Sequence, residues 1–203
     1  MPLTIYLGGR RRRTPTQLNL PHHHAAAVPF TPQNLQVAYH EAGHAVLGHI
    51  TGIYQINGPI VTAGMTKAWV SFHCNPRLVA LRARVGQPRN QADLVREQAI
   101  IGAAGVAAEH IHLRNMGVTP NSRALFRGAH GDVLAIRQLV GPGHFNQLVQ
   151  HAECHLADPR VWAMVEDLVQ AITAYSGFVP GYAAAWTLER SRRHQAVAFR
   201  ILR

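Results

Sequence analysis

His40, Glu41 and His44 stand in the order His-Glu-x-x-His, inside Tyr39-His40-Glu41-Ala42-Gly43-His44. On an α-helix each residue advances about 100°, so His40 and His44 lie about 40° apart around the axis and about 6 Å apart along it. Two imidazoles so placed grip one ion. Glu41, about 100° from His40, is poorly placed as a third ligand from the same turn, but it reaches a water held by that ion. There a carboxylate acts as general base, while the metal lowers the pKa of the water and polarises a scissile carbonyl. The implied chemistry is hydrolysis of a peptide bond with Zn2+ as cofactor.

A catalytic zinc takes three protein ligands and leaves its fourth position to water, so one more donor must come from elsewhere. His49 is set about 140° around the helix from His44 and points away. The metzincin pattern is absent too, because Leu47 and Ile50 stand where it requires Gly and His. His49 reads as a packed or surface histidine. Among only ten carboxylates, two are candidates for the site. Glu109 ends a run of small residues, Gly102 to Ala108, that lets helices crowd together, and Asp132 begins a helix after a loop.

The elements that must position these groups follow from periodicity and capping. Thr31-Pro32 reads as an N-cap followed by proline at the first helical position, opening a helix that carries the motif and ends near Gly52. Ile60-Val61-Thr62 and Ala68 to Phe72 read as two short strands, a region able to hold an extended peptide by edge pairing. Asn75-Pro76 and Gly86 to Pro88 read as turns, and Asn90 with Asp93 starts a helix running through Leu94 to Ile111 and stopping by Gly117. Further helices are expected from Gly131-Asp132 to Gly141, from Asp158-Pro159 with Val161, Met164, Val165, Leu168 and Ile172 on one face, and from Tyr182 to Ile201. The fold class is α+β, mostly α-helical, with a small β-sheet.

A chain of 203 residues suits one domain, 31–203, preceded by an arm at 1–30. The arm mixes Gly8-Gly9, Arg10 to Arg13, Pro15, Pro21, Pro29 and three consecutive histidines without a period. It reads as flexible and basic. No stretch approaches the roughly 20 apolar residues of a membrane helix, and no apolar core of a secretory signal follows the arginine run. With only Cys74 and Cys154 as cysteines, a reduced, cytoplasmic compartment is expected.

The net charge of +10 permits anionic partners. An alternative reading is therefore a basic nucleic-acid-associated or protein-binding module with a non-catalytic metal site. It would use Arg10 to Arg13, Arg82, Arg84, Arg89, Arg190, Arg192 and Arg193. Phosphate binding would weaken steeply with salt, whereas peptide cleavage would respond to chelators.

Three segments resemble the zincin-like peptidase domain of the FtsH family. They are Ala38 to Ala45 with the histidine motif, Gly102 to Glu109, and Gly128-Ala129-His130-Gly131-Asp132-Val133. The resemblance implies a metalloendopeptidase with His40 and His44 as ligands, Glu41 as catalytic base and Asp132 as third ligand. Glu109 matches the glutamate of the family's small-residue helix, which implies a group supporting a ligand, with Glu109 as a rival ligand the alternative. The sequence departs at His110, which replaces a second glutamate, at Gly131, which replaces an asparagine, and at His130, which stands nearby as a rival ligand. It also lacks the Gly-x-x-x-x-Gly-Lys-[Ser/Thr] phosphate loop of the family's ATPase module, its one lysine being Lys67. The expected substrates are peptides or unfolded proteins, with any ATPase or adaptor supplied as a separate partner.

Overall fold

Proline at the first helical position and small or apolar residues at a 3.6-residue period form α1 (Pro32–Ile50), which buries Ala38, Ala42, Ala45, Val46, Leu47 and Ile50. The computed structural model describes residues 4–7, 32–62, 68–121 and 129–203. The arginine run, the histidines of the arm, Gly64, Lys67 and Gly128 lie outside the described residues. Helix α1 turns one face to a sheet and another to a second long helix. Glycine makes both approaches possible: a Cβ on Gly48 would lie 2.8 Å from Cε1 of Phe72 in the sheet, and one on Gly43 would lie 2.5 Å from the Ala104 carbonyl oxygen.

After α1 the chain forms β2 (Tyr54–Ile56), β3 (Ile60–Val61) and β4 (Val70–Cys74). Strand β4 is central in a three-stranded antiparallel sheet, with β2 on one edge and β1 (Thr4–Leu7) on the other. The register sets Ile56 and Ile5 opposite Phe72. Val70 and Phe72 enter the core while Ser71 and His73 are half-buried, the alternation of a sheet covered on one face. Residues 4–7 thus belong to the sheet, although the sequence places them in the arm. Strand β3 pairs with β5 (Phe178–Val179) in a second, two-stranded sheet.

The turn expected at Asn75-Pro76 instead opens a helix, α2 (Pro76–Arg84), capped by the Asn75 side chain. Its physical origin is local capping, because α2 buries no residue completely. Helix α3 (Gln91–Asn115) starts at the expected Asn90 and Asp93, which form a reciprocal capping box. It is buried on all sides from Glu97 to Glu109 and forms the axis of the core.

Helix α4 (His130–Val140) begins one residue earlier than expected. Helix α5 (Phe145–Leu156) goes unassigned in the sequence reading, lacks any side-chain cap and buries Leu148, Val149, Ala152 and Leu156. Helix α6 (Pro159–Ala174) shows the Asp158 cap and the expected apolar face. Helix α7 covers Gly181–His194 and stops short of Ile201, since Ala196 takes a left-handed φ of 52° and the following residues bury Val197 and Leu202 instead.

That terminal segment is strapped down at one point. The Arg89 guanidinium donates to Glu97 at 2.9 Å, to the Thr51 carbonyl at 2.7 Å and to the Arg200 carbonyl at 3.1 Å. Glu97 also accepts from the Leu202 backbone N–H, and Arg200 N–H donates to the Ile50 carbonyl at the end of α1. One buried ion pair therefore joins α1, α3 and the tail. Among the described residues, no helix is long and apolar enough to cross a membrane.

Candidate metal centre

Helix α1 brings His40 and His44 to one face, and α4 brings Asp132 against them from 92 residues beyond His40. Nε2 of His44 lies 3.1 Å from Nε2 of His40, and Asp132 Oδ2 lies 3.0 Å from the His40 nitrogen and 3.6 Å from the His44 nitrogen. Donors bound at about 2.0 to 2.1 Å around a tetrahedral ion stand roughly 3.3 Å apart. The three side chains form a group that could hold a metal ion.

The outer ring nitrogens explain why both Nε2 atoms are free to bind. His44 Nδ1 donates to the Ile101 carbonyl at 2.6 Å, and His40 Nδ1 donates to Glu109 Oε1 at 2.6 Å. With Nδ1 carrying the proton, each neutral ring turns an Nε2 lone pair inward. Two lone pairs and a carboxylate oxygen facing one point repel unless a cation lies between them. The donor chemistry therefore fits a metal.

Without an ion, the same carboxylates draw positive charge onto His40 itself, a proton standing where the cation would lie. Burial opposes charge on His40, yet Asp132 and Glu109 outweigh it and hold its pKa well above the ordinary histidine value. Burial likewise works against the Asp132 carboxylate, but the two imidazoles pull its pKa well below the carboxylate range. Glu41 is buried within electrostatic reach of both imidazoles, and desolvation pushes its pKa up to about 7 despite their opposing pull. Its Oε2 has no hydrogen-bond partner among the described residues. A buried carboxylate oxygen without a partner is costly to the fold and available for chemistry.

Asp132 does not cap its helix. The N-cap position is Ala129, with no side-chain cap hydrogen bond, and the Asp132 carboxylate faces the imidazoles instead. Glu109 is brought in as well, but as the acceptor for His40 Nδ1. His130 is exposed and lines a surface pocket of about 290 Å³ with Val133, Ile136, Arg137 and Phe145, outside the converging group. His49 packs toward α7, its Nε2 3.3 Å from Glu189, and burial lowers its pKa to about 4. His110 pairs with Glu153 at 2.7 Å and ties α3 to α5.

The small residues of α3 shape the centre directly. A Cβ on Gly105 would lie 2.5 Å from Cε1 and Nε2 of His40, so the imidazole rests on bare backbone. Gly105→Ala is expected to fold, since alanine favours a helix interior, while displacing the ring and weakening metal affinity about tenfold or more. Competition with a chromophoric chelator measures it, and wild-type affinity would show that the contact does not hold the ring.

Two contributors escaped the sequence reading. The Ile101 carbonyl has no side-chain signature to read. Gln36, whose amide donates to Glu109 Oε2, stands four residues before His40 on the same helical face, and that spacing was the available signal.

Of the arginines that a phosphate-binding surface would use, Arg89 is fully buried on Glu97, and Arg192 and Arg193 are held by Glu189. Arg82 stacks on Phe199 and Arg190 on Trp186. In comparisons with protein-family models and with curated proteins, nothing matches this chain.

Proposed function

We propose that the chain is a zinc-dependent metalloendopeptidase of the zincin type, acting on flexible or unfolded polypeptide. The observation that carries the reading is the convergence of His40, His44 and Asp132 beside a buried Glu41 with an unpartnered Oε2. Its support is the donor set, two imidazoles and one carboxylate, which suits zinc with a coordination position left open. The resemblance of Ala38 to Ala45 and of Gly102 to Glu109 to the FtsH peptidase domain agrees with it.

Zinc held there supplies a Lewis acid for the scissile carbonyl and acidifies the attacking water. Glu41 accepts the proton of that water on Oε2 and delivers it to the departing amine. The Ile101 carbonyl and Glu109 hold the two rings in the tautomer that binds.

The test combines metal analysis with cleavage of casein by the wild-type protein and by Asp132→Ala. Wild-type protein is expected to carry one zinc and to cleave casein in a chelator-sensitive way. Asp132→Ala removes one of three ligands and is expected to lose both metal and activity. Stoichiometric zinc in that variant would shift the third ligand to Glu109 or His130, and a metal-loaded wild type inert on all peptides would end the peptidase reading.

A further inference from the structure

The His40 side of the centre is held by more than one carboxylate. Glu109 spans two residues of α1 at once: Oε1 accepts from His40 Nδ1 at 2.6 Å, and Oε2 accepts from the side-chain amide of Gln36, one turn earlier. A lone hydrogen bond to Oε1 leaves a carboxylate free to rotate about its last torsion, whereas engagement of both oxygens fixes its plane. Gln36 is the only one of the two partners with no other part in the centre.

Resting on the metal-centre reading, we infer that Gln36 is a positioning residue for the metal. It locks the Glu109 carboxylate, which in turn sets the tautomer and tilt of His40. The chain of contacts runs Gln36 amide, Glu109 carboxylate, His40 Nδ1–H, with His40 Nε2 at the ion. It leaves α1, crosses to α3 and returns to α1, so the orientation of His40 depends on the packing of both helices and on a donor at position 36. A carboxylate at position 36 would fill the same space and, at about pH 8.5, where the affinities are to be compared and a carboxyl pair with one raised pKa has ionised, present no proton. It would place two negative groups side by side and drive Glu109 away from His40.

This argument ranks the variants in an order that a packing role cannot produce. If Gln36 merely fills space, the isosteric Gln36→Glu should be milder than Gln36→Ala. If it donates to Glu109, Gln36→Glu should be the worse of the two. The double variant Gln36→Glu/Glu109→Gln exchanges donor and acceptor: the new amide at 109 donates to position 36 while its carbonyl oxygen still accepts from His40.

The experiment measures zinc affinity of the metal-free full chain by competition with a chromophoric chelator. The visible spectrum of the cobalt-substituted protein and the melting temperature are recorded alongside. Gln36→Ala is expected to weaken affinity about threefold to tenfold, and Gln36→Glu about 10-fold to 100-fold with an altered cobalt spectrum. The double variant should bind more tightly than Gln36→Glu alone. Wild-type affinity in Gln36→Glu, or a milder effect there than in Gln36→Ala, overturns the inference while leaving the metal centre intact. Failure of the wild-type protein to bind zinc or cobalt overturns both together.

Discussion

Glu41→Gln is expected to bind zinc at wild-type stoichiometry and to hydrolyse peptides about 10³-fold more slowly. The substitution keeps the size and planarity of a side chain that is buried beside the two imidazoles. It alters none of the three converging donors. What it removes is the proton acceptor at Oε2, an atom without a hydrogen-bond partner among the described residues. The same variant should melt at the wild-type temperature or above it, because burial disfavours the Glu41 carboxylate and an amide is cheaper to desolvate. Loss of activity with gain of stability is the pattern of a group kept for chemistry. Undiminished cleavage by this variant would sink the mechanism.

The largest structural effect is expected at Arg89. Arg89→Met leaves the Glu97 carboxylate buried without its counter-charge and also releases the Thr51 and Arg200 carbonyls. Breaking a buried pair from one side costs about 3 to 5 kcal/mol, which for a chain of this size lowers the melting temperature by roughly 6 to 20 °C. Burial already pushes the Glu97 pKa up, with Arg89 opposing that shift. Without Arg89, Glu97 keeps a folded-state pKa raised above its unfolded value. The destabilisation is therefore greatest at neutral pH and shrinks as pH falls toward the ordinary glutamate range near ~4.3. The double variant Arg89→Met/Glu97→Gln should recover part of the loss at neutral pH. Equal melting temperatures for wild type and Arg89→Met would show that the tail strap contributes nothing to the fold.

The motif helix was legible because its information is local. Spacing alone sets His40 and His44 on one face, and Thr31-Pro32 marks where that helix begins. The capping box at Asn90 and Asp93 and the Asp158 cap were legible for the same reason. Asp132 is not readable from spacing: it meets His40 only because α3 holds α1 and α4 around a common axis, and the sequence likeness at Gly128 to Val133 is the pointer. Helix α2 lacks a buried stripe, so only its Asn75 cap was there to find, and that was read as a turn. The sequence pattern carries the last helix on to Ile201, because it does not show that Val197 and Leu202 gain more by folding back onto the core. Strand β1 is four residues beside a glycine pair, too short for alternation to separate it from an arm.

The two ends of the centre, α1 and α4, are distant in sequence and adjacent in space. A cation bridging them binds the folded chain and finds no such site in the unfolded one, so folding and metal occupancy are linked equilibria. At a free concentration a thousandfold above the dissociation constant, mass action adds about 4 kcal/mol to stability. The melting temperature then becomes a readout of metal supply, and a chelator loosens the chain without touching any packed side chain. On the peptidase reading this has a population-level result: copies that have lost their ion open more often, and loosely folded polypeptide is what loaded copies cut.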